Sequence, residues 1–200
     1  MMAASDELDP QHYEALGRVV VSFQLLEEAI TFALIRLTRP DPGTDVDINY
    51  VLALSELSFK SKTKLLRNHV ENAKVDHYVY EGNPHPEDRV KLFAELIRRL
   101  KSVSLECEQL EEKRNQYMHS IWRPSVDESQ RLVRRYKLRV QAKKTVVADE
   151  EVSQEVIMAL GAALLSARDT ISTCSELLAS VLIEKRAIRV STNVRQRGSP

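Results

Sequence analysis

Glycine and proline are scarce in this 200-residue chain, at 5 and 7 residues. Turns are therefore few, and the regular elements should be long. Cysteine is scarcer still. Cys107 and Cys174 both sit on apolar helical stripes and read as small buried hydrophobes, not as a disulfide. No CxxC or HExxH spacing occurs and no compact His/Cys cluster, so no metal is expected. GxGxxG, GxxxxGKS/T and GxSxG are also missing, which removes the common nucleotide-binding and nucleophile-elbow signatures; no cofactor is expected. Neither sign of charge prevails, with 29 Lys+Arg against 29 Asp+Glu, so net charge selects no partner. The longest apolar run, 156–165, is shorter than the roughly 20 residues of a spanning helix. The first ten residues lack the basic-then-apolar order of a signal peptide. The expectation is a cytoplasmic protein with no membrane association.

The composition that remains, 43% hydrophobic and 29% charged, suits a globular domain with a sizeable core. Asp9 as cap and Pro10 as first helical residue open a helix over 10–38. Leu16, Val20, Phe23, Ile30, Leu34 and Leu37 follow alternating steps of four and three once Glu27 is included, and the segment at 39–43, RPDPG, stops the helix. Shorter helices are expected at 46–56 and 58–72, then a loop at 81–88. A long pattern follows from Glu87 through Phe93, Leu96, Leu100, Val103, Cys107 and Leu110 to positions 114, 117 and 121. The last helix is expected from about Glu150 to Lys185, with Leu160, Leu164, Ala167, Ile171, Cys174, Leu178 and Val181 as its stripe. Gly161, Ala162, Ala163, Ser166 and Ala167 on this helix allow close approach of a neighbour.

Between the two long helices the period changes from helical to two. RLVRRYKLRV at 131–140 puts Leu132, Arg134, Tyr136, Leu138 and Val140 on one face, and Arg131, Val133, Arg135, Lys137 and Arg139 on the other. IWRPSVDESQ before it supplies a partner strand and a turn. The fold class is thus all-α: an antiparallel bundle of about four main helices with a short β-hairpin inserted at about 120–145. One domain is expected over 1–186, with a disordered tail at 187–200.

The end of the fourth helical pattern, EEKRNQYMHSIW at 111–122, is unusual because it is polar where leucines are due. On a helical wheel Val103, Cys107, Leu110, Met118 and Ile121 all fall within about 40° of Arg114. Arg114 is a charge in an apolar seam. Asn115 and His119 fall about 100° and 140° away, one turn apart on the flank. The first helix has a matching anomaly in Glu27. An unpaired buried charge costs several kcal/mol, so the seam positions suggest that Glu27 answers Arg114. Lys62 shares a stripe with Phe59 and Leu66 and is a further inward-pointing candidate.

His changes its proton near neutral pH, and Arg offers a planar fork that matches phosphate oxygens. Together they suit metal-free phosphodiester cleavage. His119 would move the proton and Arg114 would stabilise the phosphoryl charge, with Asn115 orienting. Attack by a 2′-hydroxyl restricts the substrate to RNA. One His per chain is thin for both acid and base roles, and a symmetric dimer would supply a second.

Arg114-Asn115-Gln116-Tyr117-Met118-His119 resembles the Arg-polar-x3-His form of the Rx4-6H motif of the HEPN superfamily. Ser120 and Trp122 follow it, with Ser120 where glycine is frequent in the family. FQLLE at 23–27 looks like the first-helix aromatic-x2-Leu-Glu pattern of such proteins, and FKSK at 59–62 is similar to their second helix. The resemblance covers roughly 10–185 as architecture, and only the six-residue motif is specific. It implies a metal-independent endoribonuclease of the toxin–antitoxin, phage-defence or RNA-processing kind, working as a homodimer with Arg and His from both chains. A cognate antitoxin or other protein is a further implied partner. Many members are not catalytic.

Two readings therefore stand. One is a homodimeric ribonuclease with Arg114, Asn115 and His119 as catalytic residues and Glu27 and Lys62 in support. Arg131, Arg135, Lys137 and Arg139 are its candidate RNA contacts, because residues 131–144 hold seven Lys/Arg and no acid. The other is a non-catalytic binding or scaffold module in which Arg114 and Glu27 are a structural pair. For the basic strand the corresponding alternative is an edge protected from aggregation by its charge.

Overall fold

A computed structural model describes residues 7–38, 48–74, 86–125, 132–141 and 144–197. Among these the chain is predominantly helical, with a small antiparallel sheet between the last two helices. Five helices run in the order α1 (Pro10–Thr38), α2 (Ile48–Ser55), α3 (Phe59–Glu71), α4 (Pro86–Met118) and α5 (Gln154–Arg197). The strands β1 (Ile121–Pro124), β2 (Leu132–Gln141) and β3 (Lys144–Ser153) lie between α4 and α5.

Helix starts follow capping chemistry. Asp9 Oδ1 accepts from the Gln11 amide at 2.9 Å and the Asp9 carbonyl from the His12 amide at 2.9 Å, which satisfies donors of the first turn. Ser58 Oγ does the same for the Ser61 amide at 3.2 Å, and Asn72 ends α3. α4 opens on Pro86, where the missing amide hydrogen costs nothing, with Glu87 and Asp88 in its positive first turn. The loop expected at 81–88 falls mostly outside the described residues.

Two compact units divide the chain, one of Met1–Leu26 with Glu108–Ser166 and one of Glu27–Cys107 with Ala167–Pro200. The first holds the start of α1, the end of α4, the sheet and the start of α5. Its buried residues include Ala15, Val19, Phe23, Leu26, Leu110, Tyr117, Val133, Val152, Ile157 and Leu164. The second holds the rest of α1, α4 and α5 with α2 and α3. It buries Ile30, Leu34, Phe59, Leu66, Leu100, Cys107, Ile171 and Leu178, among others.

The expected inserted hairpin is present as β1 paired antiparallel with β2, and a third strand extends it to a sheet of order β1-β2-β3. Two further expectations are corrected. β3 extends to Ser153, so α5 begins at Gln154 and not near Glu150. The third strand hides in the sequence because its outer half, VADEEV at 147–152, is acidic where strands are usually apolar. The supposed tail is also helical as far as Arg197. Its low apolar content suggests disorder, but no Gly or Pro stops the helix before Gly198.

In α1 positions 12, 15, 19, 22, 23, 26, 29, 30, 33, 34, 35 and 37 are buried while 16, 20 and 27 are half-buried, so the stripe drifts from the expected one. A strict alternation of four and three assumes 3.5 residues per turn, and a straight helix departs from it by about 20° per heptad. Glu27 consequently sits at the edge of the stripe, half-buried. α5 contains a stretch, Gln154–Ser180, that by length and composition is apolar enough to cross a membrane. One third of it is buried, which is the share expected when a helix puts one face into a protein core, here Ile157, Leu160, Leu164, Ala167, Ile171, Cys174 and Leu178.

Candidate active site

Arg114 and Asn115 lie on the last turns of α4, and His119 is the first residue past its end. Arg114 continues the spacing of Val103, Cys107 and Leu110, as its place in the seam requires, but among the described residues no carboxylate meets it there. Its guanidinium lies over the Phe23 ring of α1, 4.5 Å from the centroid, and Nη1 donates to Asn115 Oδ1 at 2.9 Å. A ring face attracts a cation by about 0.5–2 kcal/mol, depending on desolvation. The side-chain bond from its immediate neighbour fixes the plane of the fork. Arg114 Nε is buried and has no hydrogen-bond partner among the described residues, while the residue as a whole is half-buried.

Glu27, expected opposite Arg114, is engaged elsewhere. In the second unit Lys62 Nζ donates to Glu27 Oε1 at 2.8 Å, with the Lys62 side chain 5% exposed. Lys62 thus points inward. Phe23, which is apolar and one turn earlier on α1, takes the place expected of a carboxylate beside Arg114.

His119 is exposed. Its amide donates to the Asn115 carbonyl at 3.2 Å, closing the final turn. The carbonyls at a helix end lack intrahelical partners, and here the sheet supplies them. Trp122 Nε1 of β1 donates to the Tyr117 carbonyl at 3.0 Å, and its ring meets Tyr117 edge to face at 5.6 Å. Ser120 Oγ donates to the Gln116 carbonyl. Arg135 Nη1 of β2 reaches that carbonyl and Ser120 Oγ, both at 3.3 Å. A cation beside the negative end of a helix is favourable in its own right.

Arg135 is therefore not available as an RNA contact. It is 7% exposed, pairs with Glu150 of β3 through Nε at 3.1 Å and through Nη2, and lies 5.6 Å from the Tyr117 ring centroid. The face of β2 that carries Val133 and Arg135 is the buried one. Charge on the strand had suggested solvent. The acids of β3 explain the reversal: Arg134 stands opposite Glu151, Arg135 opposite Glu150 and Tyr136 opposite Asp149. Of the other proposed contacts, Arg131 lies outside the described residues. Lys137 and Arg139 are placed only by register, opposite Ala148 and Val146.

Burial raises the Tyr117 hydroxyl above its ordinary pKa, with Glu150 adding to the rise and Arg135 opposing it. Tyr117 is thus a neutral packing residue at physiological pH. Sequence reasoning overlooked the roles of Ser120 and Arg135; the signal available was a polar residue just past the helix end and an arginine on the same strand face as Val133.

Among the described residues no group of three His, Cys, Asp or Glu side chains is placed to hold a metal ion. A groove of about 480 Å³ elsewhere in the first unit is lined by Gly17, Val21 and Leu25 of α1 and Met158, Ala162 and Leu165 of α5. It is apolar and contains none of the motif residues. Compared with known proteins, the chain has no significant match to a family model, a curated protein or a solved structure.

Proposed function

We propose that the protein is a metal-independent endoribonuclease of HEPN type, with Arg114, Asn115 and His119 as its catalytic residues. The observation that carries this reading is the fixed Arg114 fork, bonded to Asn115 at 2.9 Å and stacked on Phe23, beside an exposed His119 one turn on. The helix end that bears all three is capped by Trp122, Ser120 and Arg135, which suits a site that must hold its geometry.

In this reaction the 2′-hydroxyl oxygen attacks the adjacent phosphorus, and the bond to the 5′-oxygen breaks. The 2′-proton passes to a base and a proton is given to the leaving oxygen. The products are a 2′,3′-cyclic phosphate and a 5′-hydroxyl. His119 serves one proton transfer, and His119 of a second copy serves the other. Each such transfer contributes about 10²–10⁴-fold. Arg114 donates to the phosphoryl oxygens as charge builds on them.

The rival reading, a non-catalytic module, took Arg114 and Glu27 as a structural pair. Glu27 bonded to Lys62 removes that pair's rationale. Cleavage of mixed RNA in the presence of EDTA, abolished in Arg114→Ala and His119→Ala, tests the proposal. Intact RNA after incubation with folded wild-type protein favours the module.

A further inference from the structure

We propose that the open face of the sheet carries a subsite for an RNA backbone phosphate, formed by Arg123 of β1 and Arg134 of β2. The identity of the ligand rests on the ribonuclease reading; the site itself rests on charge and register. Along β1, Ile121 and Arg123 are exposed while Trp122 and Pro124 are half-buried, so Arg123 is on the solvent face. Its partner across the ladder is Arg134. Directly opposed residues share a face with Cβ atoms about 5 Å apart, and like charges so placed repel. Two arginines directly opposed on one face are an arrangement that a bound anion relieves.

The neighbouring acids answer this only in part. Arg134 Nε lies 3.6 Å from Glu151 and 3.8 Å from Asp149, and makes no hydrogen bond to either. Glu151 already accepts from Ser125 Oγ at 2.9 Å. Arg123 makes no ion pair among the described residues. Among the described residues neither arginine has a bidentate carboxylate, the geometry that the two non-bridging oxygens of a backbone phosphate reproduce. Arg123 follows His119 by four residues, so their Cα atoms are at most about 14 Å apart. That places the pair a short step along the backbone from a phosphate at His119. A contact of this kind positions the strand without reading its bases. It also relocates the RNA surface from the buried face of β2, where Arg135 is consumed, to the opposite face.

The test is binding of a fluorescein-labelled single-stranded RNA 12-mer, read by anisotropy over a salt series. The protein carries His119→Ala so that binding is scored without cleavage, and is compared with the same protein bearing Arg123→Gln, Arg134→Gln or both. Lys101→Gln, more than three turns earlier on α4, measures the loss of an arbitrary surface charge. Each arginine substitution is expected to weaken binding by about three- to tenfold and to reduce the salt slope by about 0.7. Lys101→Gln should leave the slope unchanged. Thermal melts should show Arg123→Gln as stable as its parent or more so, since a like-charge pair is removed. Unchanged affinity and slope in both arginine variants overturn the subsite, and so does a wild-type chain that binds no RNA. Binding that depends on Arg123 in a protein that cleaves nothing sustains the subsite and rejects the nuclease. Cleavage indifferent to Arg123 and Arg134 does the reverse.

Discussion

Lys62 donates to Glu27 across 2.8 Å, with 5% of the lysine side chain and 33% of the glutamate exposed. The lysine is the buried member, so the cost of breaking the pair falls on it. Removing one partner of a fully buried pair costs about 3–5 kcal/mol, and the partial exposure of Glu27 lowers this to about 2–3 kcal/mol. Glu27→Ala should shift the urea midpoint accordingly. Lys62→Met, which removes the charge needing a partner, should cost less than half as much. Equal losses in the two variants would contradict the inward assignment of the ammonium.

The end of α4 gives a second prediction. Trp122→Phe keeps the edge-to-face ring contact with Tyr117 and loses the 3.0 Å bond to its carbonyl. About 1 kcal/mol of stability should go. Arg135→Met loses two carbonyl-end contacts and the Glu150 pair, and should cost about 2–4 kcal/mol. Hydrogen exchange at the His119 and Ser120 amides should speed up in both. Exchange unchanged there would mean that the sheet does not hold the helix end.

Two helical glycines are openings for stabilisation. A Cβ at Gly17 meets nothing within 4 Å, and one at Gly161 meets Ser22 Oγ at 3.8 Å and Val19 Cγ2 at 3.9 Å, ordinary contact distances. Each Gly→Ala change should raise stability by about 0.5–1 kcal/mol, or Tm by about 1–4 °C. A loss at Gly161 would show that α1 and α5 pack more tightly there than these distances indicate.

Tyr117 sets an alkaline limit. Its folded pKa lies above the ordinary 10.0 because the hydroxyl is buried, so the unfolded chain ionises first. Its contribution to stability is complete below about pH 10 and is lost as pH climbs through the raised folded value. Urea midpoints of wild type should fall more steeply than those of Tyr117→Phe as pH rises above about 10. Cys174 is held above its ordinary 9.0 mainly by burial, so its thiol should react with Ellman's reagent only on unfolding.

Much of this architecture is legible in the residues, and the failures have physical causes. The stripes of α4 and α5 follow from spacing alone, because leucines at 96, 100, 160, 164 and 178 leave one possible inward face. Ser58 and Asn72 bound α3 by their capping chemistry. Glu27 was misplaced by a small rotational drift along α1, enough to exchange one charge partner for another. β3 escaped notice because its strand character lies in pairing with β2, which no local pattern records. Arg135 was assigned to solvent because composition cannot distinguish a cation that faces a carboxylate from one that faces water. At the motif itself, spacing identified the cluster on α4, while the identity of what holds Arg114, a ring and an amide, required three dimensions.

The ribonuclease proposal requires that His119 and Arg114 cleave RNA without metal. Mass spectrometry of the 3′ ends left after incubating a defined RNA with the protein in EDTA addresses it most directly. Wild type should leave 2′,3′-cyclic phosphates, reduced by about 10²–10⁴-fold in His119→Ala, and likewise lost in Arg114→Ala. Folded wild-type protein that leaves the RNA intact, or His119→Ala cleaving as fast as wild type, would contradict it.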